Sequence, residues 1–140
     1  MENCFTASVA EHIDTESILA FFHSEPGKLV FDAENTVLRE WPFTFALPAS
    51  EFPDSSDERR AKGDDTIIIQ GIIDMLVRTP QGLIIIDFKT DRVTAAQVTE
   101  RAELYRQQLD YYSRAASAIL KSESIAKWLY FLNPRVPKEV

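Results

Sequence analysis

A chain of 140 residues is long enough to bury one independent core and short for two. Its 45% hydrophobic and 26% charged residues suit an ordinary globular domain, and no apolar run approaches membrane-spanning length. The net charge of −7 argues against a free-standing nucleic-acid binder, whose affinity comes from lysine and arginine neutralising phosphates. Cys4 is the lone cysteine and His12 and His23 are the two histidines, so neither an iron–sulfur cluster nor a zinc site has ligands to draw on. With no basic region followed by an apolar stretch at the N-terminus, the cytoplasm is the expected location and no membrane partner is implied.

In chain order, Thr15 to Glu25 predicts a packing helix with Ile18, Leu19, Phe21 and Phe22 on its apolar side, ended by Pro26-Gly27. His12 and His23 have no ligand spacing and read as surface or capping histidines. Thr36 to Leu47 is rich in β-branched and aromatic residues and predicts a strand. Glu40 stands out inside it, and on the residues alone it is a solvent-facing glutamate beside Arg39. Pro48 to Thr66 combines prolines with mixed charge and predicts a surface loop, or a partly disordered insertion, with Arg59-Arg60 and Asp64-Asp65 as solvated charge.

The stretch from Gly71 to Asp91, GIIDMLVRTPQGLIIIDFKTD, organises the rest. Ile67 to Val77 and Leu83 to Ile86 are apolar strands, and Thr79-Pro80-Gln81-Gly82 has proline and glycine where a type I turn prefers them. If Pro80 and Gln81 form the loop, counting outward sets Asp74 opposite Asp87; a bulge at Gly82 would stagger the two by a residue. Two bare carboxylates facing each other repel, and one is pushed toward protonation unless a cation sits between them. Lys89, two residues past Asp87, projects from the same strand face. A pair of oxygen ligands suits a hard divalent ion such as magnesium, which completes its shell with water and substrate phosphate. The implied chemistry is metal-assisted phosphodiester hydrolysis, with Lys89 orienting water or stabilising charge. Gly71, inside a strand, marks a bulge or a close backbone approach, the latter attractive beside a phosphate.

Thr94-Ala95-Ala96-Gln97 fits a capping box, and the helix predicted from Ala95 to about Lys121 carries Val98, Ala102, Tyr105, Leu109, Tyr112, Ala116 and Ile119 as a core-facing stripe. Tyr105 and Tyr112 are core residues first, while Gln108 and Tyr112 lie four apart on one helical face. Arg101, Arg106 and Arg114 are phosphate contacts or simply a solvated surface. Ala126 to Leu132 predicts a last strand, stopped at Asn133-Pro134, and Arg135 to Val140 a frayed tail. The sum is an α/β domain over residues 1–140: a mixed sheet with the long helix across one face.

GIID74, D87FK89 and Q108LDYY112, in that order, resemble the PD-(D/E)XK nucleases of the RecB type, and with L38REWPF43 and Y105RQQLDYYSRAASAIL120 they are similar to the C-terminal nuclease domains of AddA-type helicase-nucleases. The resemblance covers about Thr15 to Pro134 and implies a restriction-endonuclease-like core with flanking helices. It also implies that Asp74, Asp87 and the backbone carbonyl of Phe88 hold magnesium, or manganese in its place. Glu40 matches the first acidic motif and becomes a ligand or water-orienting base; Lys89 positions the nucleophile. Gln108, Tyr112 and Tyr105 contact DNA or support the site. The implied role is a DNA exonuclease in double-strand-break repair, fed single-stranded ends by a helicase motor and working with an AddB-like partner. The expected departure is an upstream helical segment with a metal-binding histidine that His12 does not match, which makes the chain a piece of a larger helicase-nuclease, weak or inactive alone. Two other readings stay open: a non-catalytic docking module that keeps the fold, and a stand-alone structure-specific endonuclease.

Overall fold

The structure, a computed structural model, describes residues 14–51 and 65–140. Helix α1 (Thr15–His23) begins at Asp14, whose carboxylate accepts the Ser17 N–H at 3.1 Å, as an N-cap does. Pro26 and Gly27 do not simply end it. Ser24 caps a second helical turn, α2 (Glu25–Lys28), because proline fits the first turn of a helix, where its missing N–H leaves no bond unmade. Strands β1 (Thr36–Pro48), β2 (Thr66–Arg78) and β3 (Leu83–Arg92) follow, then helix α3 (Val98–Leu120), β4 (Ser124–Asn133) and β5 (Val136–Glu139).

The strands lie in the order β1-β2-β3-β4-β5; β3 and β4 are parallel and the other neighbours antiparallel. The parallel pair needs a long crossover, and α3 supplies it. The expected frayed tail is corrected here. A turn through Pro134 and Arg135 folds the C-terminus back as edge strand β5, with Arg135 in the left-handed region at φ 69°. Pro137 is tolerated because an edge strand leaves one side without ladder bonds.

Apolar clusters lie on both faces of the sheet. On one, Phe21 of α1 meets Phe88 and Tyr130 edge-on at 4.8 and 5.2 Å, over Met75, Val77, Ile84 and Ile86. On the other, α3 lays Ala115 and Ala116 against Phe43, Ile73, Leu76 and Ile85, and Val98, Ala102 and Leu109 against Leu129 and Phe131. The helix opens with a 3-10 turn at Ala95–Gln97, the expected capping box forms, and Gln97 Oε1 accepts from the Thr94 N–H at 3.0 Å. Ile119 is the exception to the predicted stripe at 43% exposed. Alternating steps of three and four drift about 20° per heptad from a straight helix, and Leu120 faces the core in its place.

One irregularity shapes everything near the site. The β1–β2 ladder keeps one alignment throughout, with Arg39 opposite Met75 and Trp41 opposite Ile73, yet the pair between them, Glu40 and Asp74, is missing. Leu38 and Trp41, three apart, belong to the same cluster, and so do Ile73 and Leu76. Regular strands alternate faces, so both strands switch face at this one position. Glu40 carries the distortion at φ 47°, a left-handed conformation that costs a residue with a Cβ about 1 kcal/mol or more.

Candidate active site

The loop after β2 consists of the two predicted residues. Thr79 and Gly82 exchange backbone hydrogen bonds at 2.9 and 3.3 Å around Pro80 and Gln81, and Thr79 Oγ1 accepts from the Gln81 and Gly82 N–H groups at 3.1 Å. No bulge displaces the register: Arg78 pairs with Leu83 and the ladder runs to Met75 and Ile86. The next rung would join Asp74 to Asp87, and there the ladder stops. Beyond it β2 continues beside β1, while Asp87, Phe88 and Lys89 continue beside Leu129, Tyr130 and Phe131 of β4. Between the diverging strands lies a fork, bridged by one side chain. Asp74 Oδ2 accepts the Phe88 N–H at 2.9 Å, replacing the ladder bond that the divergence removes.

Asp87 is 4% exposed. Lys89 Nζ stands 2.6 Å from its Oδ2, an ion-pair distance, but the approach does not align as a directed hydrogen bond, and that buried oxygen has no hydrogen-bond partner. Burial pushes the Asp87 carboxyl above the usual carboxylate range; Lys89 pulls it back and neighbouring Asp74 pushes it further up. Lys89 Nζ also donates to Gln108 Oε1 at 2.9 Å and lies 3.9 Å from the centre of the Tyr105 ring. An ammonium can only donate, so Gln108 must turn its oxygen to Lys89, which leaves Nε2 to donate to the Tyr112 hydroxyl at 2.9 Å. Burial and the Asp87 and Asp74 charges raise the Tyr112 phenol, keeping it protonated.

Gly71 marks a close approach rather than a bulge, and what approaches is aromatic. A Cβ there would lie 2.8 Å from the Phe43 ring and 3.1 Å from that of Tyr112. Glu40 is exposed and lines, with Arg39, Asp74, Phe88 and Phe22, a cavity of about 520 Å³ under α1. Among the described residues no group of three or more histidine, cysteine, aspartate or glutamate side chains is placed to hold one metal ion, so Glu40 does not close a triad with Asp74 and Asp87. His23 lies exposed in the last turn of α1. Arg101, Arg106 and Arg114 are ion-paired with Asp91, Glu103 and Glu51. His12, Arg59, Arg60 and Asp64 lie outside the described residues.

A residue not singled out in the sequence joins the cluster. Asp91 accepts from the Tyr105 hydroxyl at 2.8 and 3.0 Å and from Arg101 Nη1 at 3.0 Å. The signal that could have found Asp91 is the alternation that joined Lys89 to Asp87, carried two residues further.

A sequence model of the PD-(D/E)XK nuclease superfamily matches residues 11–140. The chain belongs to the PD-(D/E)XK nuclease superfamily. Its mixed five-stranded sheet with flanking helices is the α/β, restriction-endonuclease-like fold that this membership entails. Curated relatives are named as the A subunit of an ATP-dependent helicase/nuclease, the AddA proteins of the sequence resemblance. Those of Desulforudis audaxviator, Bacillus cytotoxicus and Levilactobacillus brevis are 35%, 36% and 35% identical over 91%, 91% and 94% of this chain. The chain spans about a tenth of the length of each. No helix among the described residues is long and apolar enough to cross a membrane.

Proposed function

We propose that this domain hydrolyses phosphodiester bonds in DNA with a divalent cation, magnesium or manganese in its place, held by Asp74, Asp87 and the backbone carbonyl of Phe88. The observation that carries the reading is the meeting of Asp74, buried Asp87 and Lys89 in the fork, two carboxylates with one ammonium, Lys89 Nζ, at 2.6 Å from Asp87 Oδ2. One ammonium leaves two neighbouring carboxylates short of a positive charge, and a hard cation meets that need. The N–H and C=O of one strand residue point to the same side, so the Phe88 carbonyl faces the fork with the N–H that Asp74 accepts. Two carboxylates and a carbonyl, with water and substrate phosphate filling the shell, make a donor set that magnesium accepts.

When bound, the cation supplies charge neutralisation at the phosphate and makes a coordinated water more acidic. The chain's own groups do the rest. Lys89, held between Asp87 and Gln108, orients the attacking water and stabilises charge developing on the phosphoryl oxygens. Hydrolysis adds hydroxide to phosphorus, breaks the bond to the leaving sugar oxygen and returns a proton to that oxygen. Glu40, on the cavity beside Asp74, assists as the base that orients the water rather than as a third carboxylate ligand. Gln108, Tyr112 and Tyr105 support the site.

The net charge of −7 gives little phosphate attraction of its own, which supports delivery of single-stranded DNA ends by a helicase motor. The relatives' helicase/nuclease name and the small share of them that the chain spans support the same reading. The domain then acts as the exonuclease of a cytoplasmic helicase-nuclease in double-strand-break repair, with an AddB-like partner. Manganese and magnesium calorimetry on wild type and Asp74→Ala, with single-stranded DNA cleavage on the same samples, tests it. Binding and cleavage in wild type, both lost in the variant, establish it; binding without cleavage marks a site that is weak alone, as the resemblance implies. Absence of metal binding in wild type overturns the metal site and leaves a docking module that only keeps the fold.

A further inference from the structure

We infer that Asp91 and Tyr105 form a positioning pair for Lys89, Asp91 holding the Tyr105 ring at the angle at which its face receives the lysine ammonium. The inference rests on the nuclease reading of the fork and assigns residues that the reaction does not touch. At Lys89, β3 has lost β2 and keeps only its β4 neighbour, Phe131, so one side of the strand carries no ladder. Three contacts fix its ammonium instead: Asp87 at 2.6 Å, Gln108 at 2.9 Å and the Tyr105 ring face, 3.9 Å to its centre. The first belongs to the proposed metal site and the second to the helix motif already described. The third depends on the ring being held.

A tyrosine on a helix turns readily about its side-chain bonds, and Tyr105 is only partly buried. Its hydroxyl donates to Asp91, and Arg101 pins the same carboxylate from the next turn N-terminal on α3. The chain of contacts therefore returns to β3 two residues past Lys89, closing a loop from strand to helix and back. With the ammonium over it, that face of the ring is not free to stack on a base, which separates positioning from direct DNA contact. The Arg101–Asp91 pair is partly exposed, with Arg101's side chain 43% accessible, so it adds little to stability and its variants should fold.

The test uses lysine ε-carbon NMR together with cleavage kinetics on wild type, Tyr105→Phe, Tyr105→Leu, Asp91→Ala and the Tyr105→Phe/Asp91→Ala double variant. A ring face shifts the Lys89 ε-protons upfield of the exposed lysines in wild type; Tyr105→Leu abolishes the shift, and Asp91→Ala and Tyr105→Phe reduce it. In kinetics, Tyr105→Leu lowers kcat about tenfold with KM within about twofold, the scale of a partly desolvated cation–π contact. Tyr105→Phe and Asp91→Ala each lower kcat about threefold, and the double variant falls no further than either alone, since they break one link. An unshifted Lys89 in wild type overturns the inference, as does a Tyr105→Leu variant that keeps full kcat while Lys89→Ala loses cleavage. If wild type neither binds metal nor cleaves, the nuclease reading fails, and the NMR shift still decides whether Tyr105 holds Lys89.

Discussion

The two halves of the β2–β3 hairpin differ in composition and have opposite structures. Near the turn, Leu76, Val77, Leu83, Ile85 and Ile86 are fully buried and the strands are joined by a regular ladder. From Asp74 and Asp87 onward the strands separate, each keeping only its outer neighbour. A polar site is thus opened inside a sheet by withdrawing one ladder rather than by breaking a strand. The backbone left unpaired must find partners, and Asp74 takes the Phe88 N–H. In the proposed site each carboxylate therefore has a structural as well as a chemical task, Asp74 holding the Phe88 N–H and Asp87 the Lys89 ammonium.

The strongest way to break the open half is Asp87→Ala. Cleavage is expected to fall about a hundredfold or more, the scale of removing a charge-stabilising group, and manganese should no longer raise the melting temperature. A calorimetric melt with and without metal, run beside a cleavage assay, checks both halves of that expectation. Next comes Gly71→Ala. The added Cβ meets the Phe43 and Tyr112 rings at 2.8 and 3.1 Å and has to displace a packed edge-on pair, so urea unfolding should show a loss of about 1–3 kcal/mol. A change in the closed half such as Leu76→Ile alters shape but not volume and should lose less.

A third prediction uses pH. Burial raises the Asp87 carboxyl above its ordinary value in the folded chain, so folding takes up a proton between the unfolded and folded values. This contribution is fully present below the unfolded value of 3.8 and is lost as pH rises through the folded one. In the absence of metal, the stability difference between wild type and Asp87→Asn should therefore shift against wild type as pH rises from about 4 toward neutrality. A flat difference across that range would show that Asp87 is not raised. The smallest effect is at Glu40. Glycine adopts its φ of 47° without strain, so Glu40→Gly is expected to keep or raise stability by up to about 1 kcal/mol. Cleavage should nevertheless fall, because the carboxylate is proposed to orient the water; unchanged cleavage would make Glu40 a solvent-facing residue at a strand distortion.

Much of the architecture was legible because it follows from local rules. Alternation and β-branched content located four strands, the Thr79–Gly82 turn residues set the hairpin register, and the Thr94–Gln97 capping box located the start of the long helix. The errors have local causes too. Pro26 started a helical turn where a stop was expected, and Pro137 joined a strand because that strand is an edge. Asp74, Asp87 and Lys89 stood out because charged residues in an apolar hairpin ask for an explanation.

By itself the sequence determined the hairpin register, the apolar faces and the order of the acidic and basic residues along it, since these depend on periods of two and three to four residues. Only the tertiary structure decided that the ladder ends where the two aspartates would have met, that β1 and β2 switch face together at Glu40 and Asp74, and that Asp91 reaches Lys89 through Tyr105. Those outcomes depend on which strand wins each neighbour and on a helix arriving from beyond Thr94, and no local period encodes either.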